Sequence, residues 1–136
     1  MRTKIQLRFA DVDMARHVHN GAYLHFFELA RMALLGTFIA KDHDWRAQGL
    51  ILARNEVDYR KPIHLSDHVE VDCWCSAIGT KSFTLDYAVD RMKDGKRERC
   101  ADGKSVMVCM DYVAGKTIVL PKAWQTALEK HPTATS

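Results

Sequence analysis

Between Asn20 and Phe38 the chain carries a helix with almost no polar side. Tyr23, Phe26, Phe27, Ala30 and Leu34 recur at i, i+3, i+4, i+7 and i+11, the spacing of a single helical face. Leu24, Leu29, Met32 and Leu35 widen that stripe around the cylinder. A helix this apolar is expected to be enclosed rather than laid on a surface. Asn20 is a suitable N-cap, and Gly36 stands where the last turn should end or loosen.

Most of the remaining chain alternates with a period of two. Residues 2–9 read as a first strand, with Ile5, Leu7 and Phe9 set against Lys4, Gln6 and Arg8. Residues 10–20 are irregular and polar, and residues 41–46 form a loop. Residues 50–61 form a strand stopped by Pro62. Residues 68–78 put Val69, Val71, Cys73, Cys75 and Ala77 on one face, with His68, Glu70, Asp72, Trp74 and Ser76 on the other. Gly79-Thr80 reads as a turn. A strand through Phe83, Leu85, Tyr87 and Val89 then leads to Asp94-Gly95, a strong hairpin signal. Residues 97–113 form a last long strand, and Gly115-Lys116 another turn. Pro121 opens a short helix over residues 122–128. The tail, residues 132–136, is expected to be disordered.

These elements give an α+β domain over residues 1–131. One long apolar helix and one antiparallel sheet can bury each other only if the sheet curves around the helix. At 136 residues a single compact domain is expected. A short chain with so apolar a helix also favours self-association.

Charge excludes some partners. The formal net charge is +3 with the basic residues scattered, so no nucleic-acid-binding stripe is present. An anionic small molecule remains compatible. Cys73, Cys75, Cys100 and Cys109 form no CxxC pair and read as buried small hydrophobes. No signal peptide and no segment long enough to span a membrane is visible. A reduced, cytoplasmic protein is therefore expected.

Chemistry-bearing residues gather just before the apolar helix. The stretch from Arg8 to Tyr23 holds Asp11, Asp13, His17, His19, Asn20 and Tyr23. Such a cluster opens onto a helix N-terminus, where free N–H groups and a positive dipole end can hold developing negative charge. Asp11 reads as a turn former or ion-pair partner. Glu28 and Arg31, three residues apart, are placed to pair on the helix. The spacing of Asp11, Asp13, His17 and His19 fits no familiar zinc or iron motif, so no metal is expected. No Gly-x-Ser-x-Gly, glycine-rich phosphate loop or Cys/His nucleophile pattern occurs.

The block resembles the hotdog-fold acyl-CoA thioesterases of the 4-hydroxybenzoyl-CoA thioesterase-like superfamily, including the YbgC-like and plant acyl-ACP thioesterase branches. Their loop reads approximately D-x-D-x-x-x-H-V-N-N-x-x-Y, then F-E-x-A-R. The matching residues are Asp11, Asp13, His17, Val18, Asn20 and Tyr23, then Phe27-Glu28, Ala30 and Arg31. Asp58-Tyr59 with Pro62, Ile78-Gly79 with Ser82, and Asp111 with Pro121 are similar to later family signposts. Two positions depart from the pattern. His19 stands where an Asn is usual, and Ala15 stands where the acyl-ACP branch carries a further Asn.

The resemblance implies a hotdog fold and hydrolysis of an acyl-CoA to free acid and CoA. No cofactor is implied, coenzyme A being part of the substrate. Asp13 is implied as the catalytic carboxylate, either attacking the carbonyl carbon or activating a water. The backbone N–H of Asn20 would polarise the thioester carbonyl. His17 would orient Asp13, bind a water or protonate the leaving group. Tyr23 would border the substrate, and Arg60, Lys61, Lys81 and Ser82 are the candidates for coenzyme A phosphates. Trp45 is a candidate cover for the acyl chain. A dimer with joined sheets and interfacial sites is implied, or a tetramer of such pairs. The rivals are a module that binds or senses acyl-CoA without hydrolysing it, and a hotdog hydratase or dehydratase. The helix patterns usual in the latter are absent here.

Overall fold

The computed structural model describes residues 1–135. Six strands form one antiparallel sheet: β1 Arg2–Ile5, β2 Gly49–Tyr59, β3 His68–Ile78, β4 Ser82–Lys93, β5 Lys96–Asp111 and β6 Lys116–Thr117. They lie in the order β1-β3-β4-β5-β2, with β6 pairing β5. Helix α1 spans Asn20–Leu35 and helix α2 Lys122–Leu128. The strand that follows α1 in sequence therefore lies at the sheet edge opposite β1, and the chain crosses back to build β3.

Helix α1 packs most closely on β3 and β1. Ala22, Tyr23, Phe26, Phe27, Ala30, Leu34 and Leu35 are buried, as their spacing requires. Phe27 stacks on Tyr87 of β4, with ring centroids 4.4 Å apart. Its ring also lies where any side chain at residue 103 of β5 would project, so glycine lets the helix and sheet approach. The sheet covers only one side of α1. Leu24, Leu29 and Met32 are 40–49% exposed, so the helix is not enclosed within a single chain.

Several boundaries move for identifiable reasons. The first strand ends at Ile5, opposite Val69, because β3 begins there. Phe9 enters a one-turn 3₁₀ helix, Phe9–Asp11, with its side chain in solvent. A bulge between Cys75 and Ala77 breaks the alternation of β3, leaving Ala77 exposed. The β4–β5 hairpin turns on Asp94 and Gly95, with φ of 51° and 72°, the left-handed pair of a type I′ turn. All four cysteines are free and buried. In the tail, Thr135 donates from its backbone N–H and its hydroxyl to the Asp72 carboxylate, at 2.6 and 2.8 Å. Ser136 lies outside the described residues. No helix among those described is long and apolar enough to cross a membrane.

Candidate active site

The segment from residue 8 to residue 20 is a pinned loop. The Asp11 carboxylate is buried. It accepts from the Arg8 guanidinium at 2.9 Å and from the Arg8 backbone N–H at 2.8 Å. The guanidinium bonds hold this carboxyl below its ordinary value, against the opposing effect of burial. Asp11 is thus an ion-paired strut, in keeping with its reading as a turn former or ion-pair partner. Val12 and Val18 form an isolated β-bridge, and Val18 N–H donates to the carbonyl of Ile63 at 2.8 Å. Between them the chain reverses with Arg16 in a left-handed conformation, φ 64°.

Asp13 sits at the mouth of this reversal and is exposed. Its Oδ1 accepts the N–H of Ala15 at 2.9 Å and that of His17 at 3.4 Å. Oδ2 has no partner among the described residues. His17 therefore steadies Asp13 through its backbone. Its ring instead packs edge-on against His64, 5.0 Å away.

Asn20 is the first helical residue, and the N-cap position belongs to His19 rather than to Asn20. The Asn20 side chain accepts the neighbouring Gly21 N–H at 3.1 Å. The backbone N–H of Asn20 makes no hydrogen bond among the described residues. That leaves one unpaired donor at the positive end of α1. The carbonyl of Asn20 accepts from the Tyr59 hydroxyl at 2.9 Å. Tyr59 stands edge-on to Tyr23, 5.0 Å away. Burial pushes the Tyr23 phenol up to about 12, so it stays neutral and acts as a wall.

One cavity of about 290 Å³ gathers Asp13, His17, Asn20, Tyr23, Arg60 and Lys61. Asp13 also borders a wider, mainly apolar cavity of about 750 Å³ beside Phe9, Val12 and Leu65. The smaller cavity holds both the carboxylate and the helix tip. Arg60 and Lys61 are paired, Arg60 with Asp102 and Lys61 with Glu98, the latter at 2.9 Å. Both cations are more than half exposed, and such pairs exchange partners at little cost.

Lys81 and Ser82 are not part of this cavity within one chain. They lie at the β3–β4 turn, where Lys81 donates to the Thr117 hydroxyl at 3.3 Å. Ser82 pairs with Val108, whereas Tyr59 pairs with Ala101. That separation along β5 sets the two groups at opposite ends of the sheet. The expected Glu28–Arg31 pair is also absent: Glu28 faces His25 at 3.6 Å, and Arg31 turns inward. Tyr59 and His64 are site neighbours that local spacing did not mark. Only the Asp58-Tyr59 signpost pointed toward Tyr59. Among the described residues no group of three His, Cys, Asp or Glu is placed to hold a metal ion.

The sequence profile of the Thioesterase-like superfamily matches residues 7–128. The chain is 26% identical over 133 residues to the long-chain acyl-CoA thioesterase FadM of Escherichia coli (strain K12), covering 96% of this chain and 98% of that one. It is 24% identical over 127 residues to the 1,4-dihydroxy-2-naphthoyl-CoA hydrolase of Synechococcus elongatus, covering 90% of each. Among solved structures, a thioesterase of Thermus thermophilus complexed with coenzyme A and Zn superposes with a TM-score of 0.81. It is 30% identical, with 96% of this chain and 92% of that chain covered.

Proposed function

The chain belongs to the thioesterase-like superfamily and is a thioester hydrolase; we propose that it cleaves acyl-CoA to free acid and CoA, without a cofactor, using Asp13 at the tip of α1. The observation that carries this reading is the shared cavity of Asp13 and Asn20, where a carboxylate oxygen and a backbone N–H both lack partners among the described residues. The architecture is then a hotdog, with the antiparallel sheet packed on one side of α1.

In this reading the thioester carbonyl oxygen takes the Asn20 N–H, and the helix end favours the charge that develops there. Asp13 Oδ2 either adds to the carbonyl carbon or takes the proton of the water that adds. The C–S bond breaks, and the CoA thiolate leaves and is protonated. In the first path, water then hydrolyses the aspartyl anhydride. Where that anhydride opens at the Asp13 carbonyl carbon, a single turnover in ¹⁸O-water separates the paths: direct attack releases an acid whose new oxygen comes from the protein, whereas an activated water places ¹⁸O in the acid. Arg60 and Lys61 exchange Asp102 and Glu98 for substrate phosphates.

The free edge of β2 supports a dimer. Tyr59 ends β2 beside Asn20, whereas Gly49 begins it opposite Met110, close to the Ser82 pairing at Val108. Antiparallel pairing of two β2 edges about a two-fold axis therefore sets one chain's Asn20 end against the other chain's Lys81 and Ser82 end. The coenzyme A site is then shared between copies. A thiol-release screen across aliphatic acyl-CoAs of graded length and aromatic acyl-CoAs tests the activity. Release from none of them would defeat it, and thiol-free binding would favour the sensing module.

A further inference from the structure

Asn20 belongs to the pattern that the wider family shares, but its two neighbours are this chain's own. His19 departs from that pattern, and Gly21 fills a place the pattern leaves open. All three residues meet at the first turn of α1. His19 holds the N-cap position without a side-chain cap bond. Its Cε1 and Nδ1 lie 3.3 Å from the point that a Cβ on Gly21 would occupy, so the imidazole rests against Gly21. The Gly21 N–H has no backbone acceptor among the described residues and donates to Oδ1 of Asn20 at 3.1 Å. Asn20 and Gly21 are both exposed.

This grouping holds the parts of an intramolecular reaction. A five-membered ring closes when the amide nitrogen that follows an asparagine adds to the side-chain carbonyl carbon. In the body of a helix that nitrogen is locked by its bond to the preceding turn. In the first turn it has no such bond. Glycine brings no Cβ to hinder the approach and leaves the backbone free to rotate into it. An imidazole takes and returns protons near neutral pH. The chain's other asparagine lacks these features. Asn55 lies within β2 ahead of Glu56, and its Oδ1 accepts the Ser105 hydroxyl at 2.5 Å.

We propose that Asn20-Gly21 is a self-modification site, deamidated with His19 as proton carrier, and that the change switches hydrolysis off. His19 takes the proton of the Gly21 nitrogen as that nitrogen bonds to Cγ of Asn20. The carboxamide C–N bond breaks, and its nitrogen leaves as ammonia with the proton that His19 returns. Water then opens the cyclic imide. Opening at the side-chain carbonyl leaves aspartate, and opening at the main-chain carbonyl leaves isoaspartate. One water is consumed and one ammonia released. Either product sets a carboxylate at the helix end that the hydrolase reading above assigns to the thioester oxygen. The loss of activity rests on that reading; the deamidation does not.

The test holds wild-type protein in mildly alkaline buffer, folded and, in parallel, unfolded in urea. The peptide of residues 17–31 is followed by mass and for isoaspartate, and thiol release from an acyl-CoA is followed alongside. Folded protein should exchange NH₂ for OH at Asn20 and not at Asn55, at a rate within ~10-fold of the unfolded chain. Turnover should fall in step with the converted fraction. Freshly prepared Asn20→Asp should start at least ~10-fold below wild type. His19→Gln removes no cap bond, and in the folded state it should slow the conversion at least ~10-fold. Three results would each overturn the proposal: a folded chain that keeps Asn20 while the unfolded one converts, an unchanged rate in folded His19→Gln, or conversion with undiminished turnover. The wild-type comparison needs no variant to fold. Fresh wild-type protein that releases thiol from no acyl-CoA would instead remove the hydrolase reading, and with it the switch, but not the deamidation.

Discussion

The hydroxyl of Tyr59 donates to the backbone carbonyl of Asn20 at 2.9 Å, tying the last residue of β2 to the first residue of α1. The helix tip at the candidate site is thereby positioned by a strand that begins fourteen residues after the helix ends. Tyr59→Phe removes this bond and keeps the ring against Tyr23. We expect kcat to fall ~3- to 10-fold, the scale of one modest hydrogen bond, with KM little changed. Steady-state kinetics on a single acyl-CoA check it, and an unchanged kcat would leave the bond without a role in catalysis.

Asp13→Asn preserves the Oδ1 acceptor for the Ala15 and His17 amides, so the loop should keep its shape. It removes the charge from Oδ2. Hydrolysis should fall ~100-fold or more, while the melting temperature and acyl-CoA affinity by calorimetry stay close to wild type. Wild-type turnover in this variant would take Asp13 out of the mechanism.

The shared-site dimer predicts complementation. Lys81→Ala should raise KM, and Asp13→Asn should abolish turnover. Co-folded mixtures of the two variants should form some dimers in which one site has both native residues, restoring a low-KM component. A mixture that behaves as the simple sum of its parts argues against sharing across the β2 edge.

The Asp11 carboxyl titrates below its ordinary value because Arg8 hydrogen-bonds the ionised form. Its contribution to stability is therefore fully present above about pH 4 and is lost as pH falls through the lowered folded-state value. Asp11→Ala should cost about 1–2 kcal/mol at neutral pH. The difference from wild type should shrink as melts are taken further below pH 4. A gap that widens on acidification would have the wrong sign for this strut.

Gly103→Ala would drive a methyl group into the Phe27 ring. Overpacking of this kind costs about 1–3 kcal/mol, and the melting temperature should fall by several degrees. Phe27→Leu in the same chain should recover part of the loss. Additive destabilisation in the double variant would show that the two residues do not compete for space.

Local spacing was enough to read the elements themselves. The apolar period of α1, the alternation of β3 and the Asp94-Gly95 turn depend on short-range sterics and on which face is buried, and a few neighbouring residues set both. The cluster from Asp11 to Tyr23 was legible for the same reason: its residues are neighbours along the chain. Tertiary structure decided what those residues meet. It placed β2 at the far edge so that Tyr59 reached Asn20. It paired Arg60 with Asp102 and Lys61 with Glu98, and set Lys81 and Ser82 at the other end of the sheet. It also drew Arg31 away from Glu28 to Tyr87, fifty-six residues along the chain. Such partnerships follow from strand order, register and the packing of helix on sheet, which no local window of sequence contains.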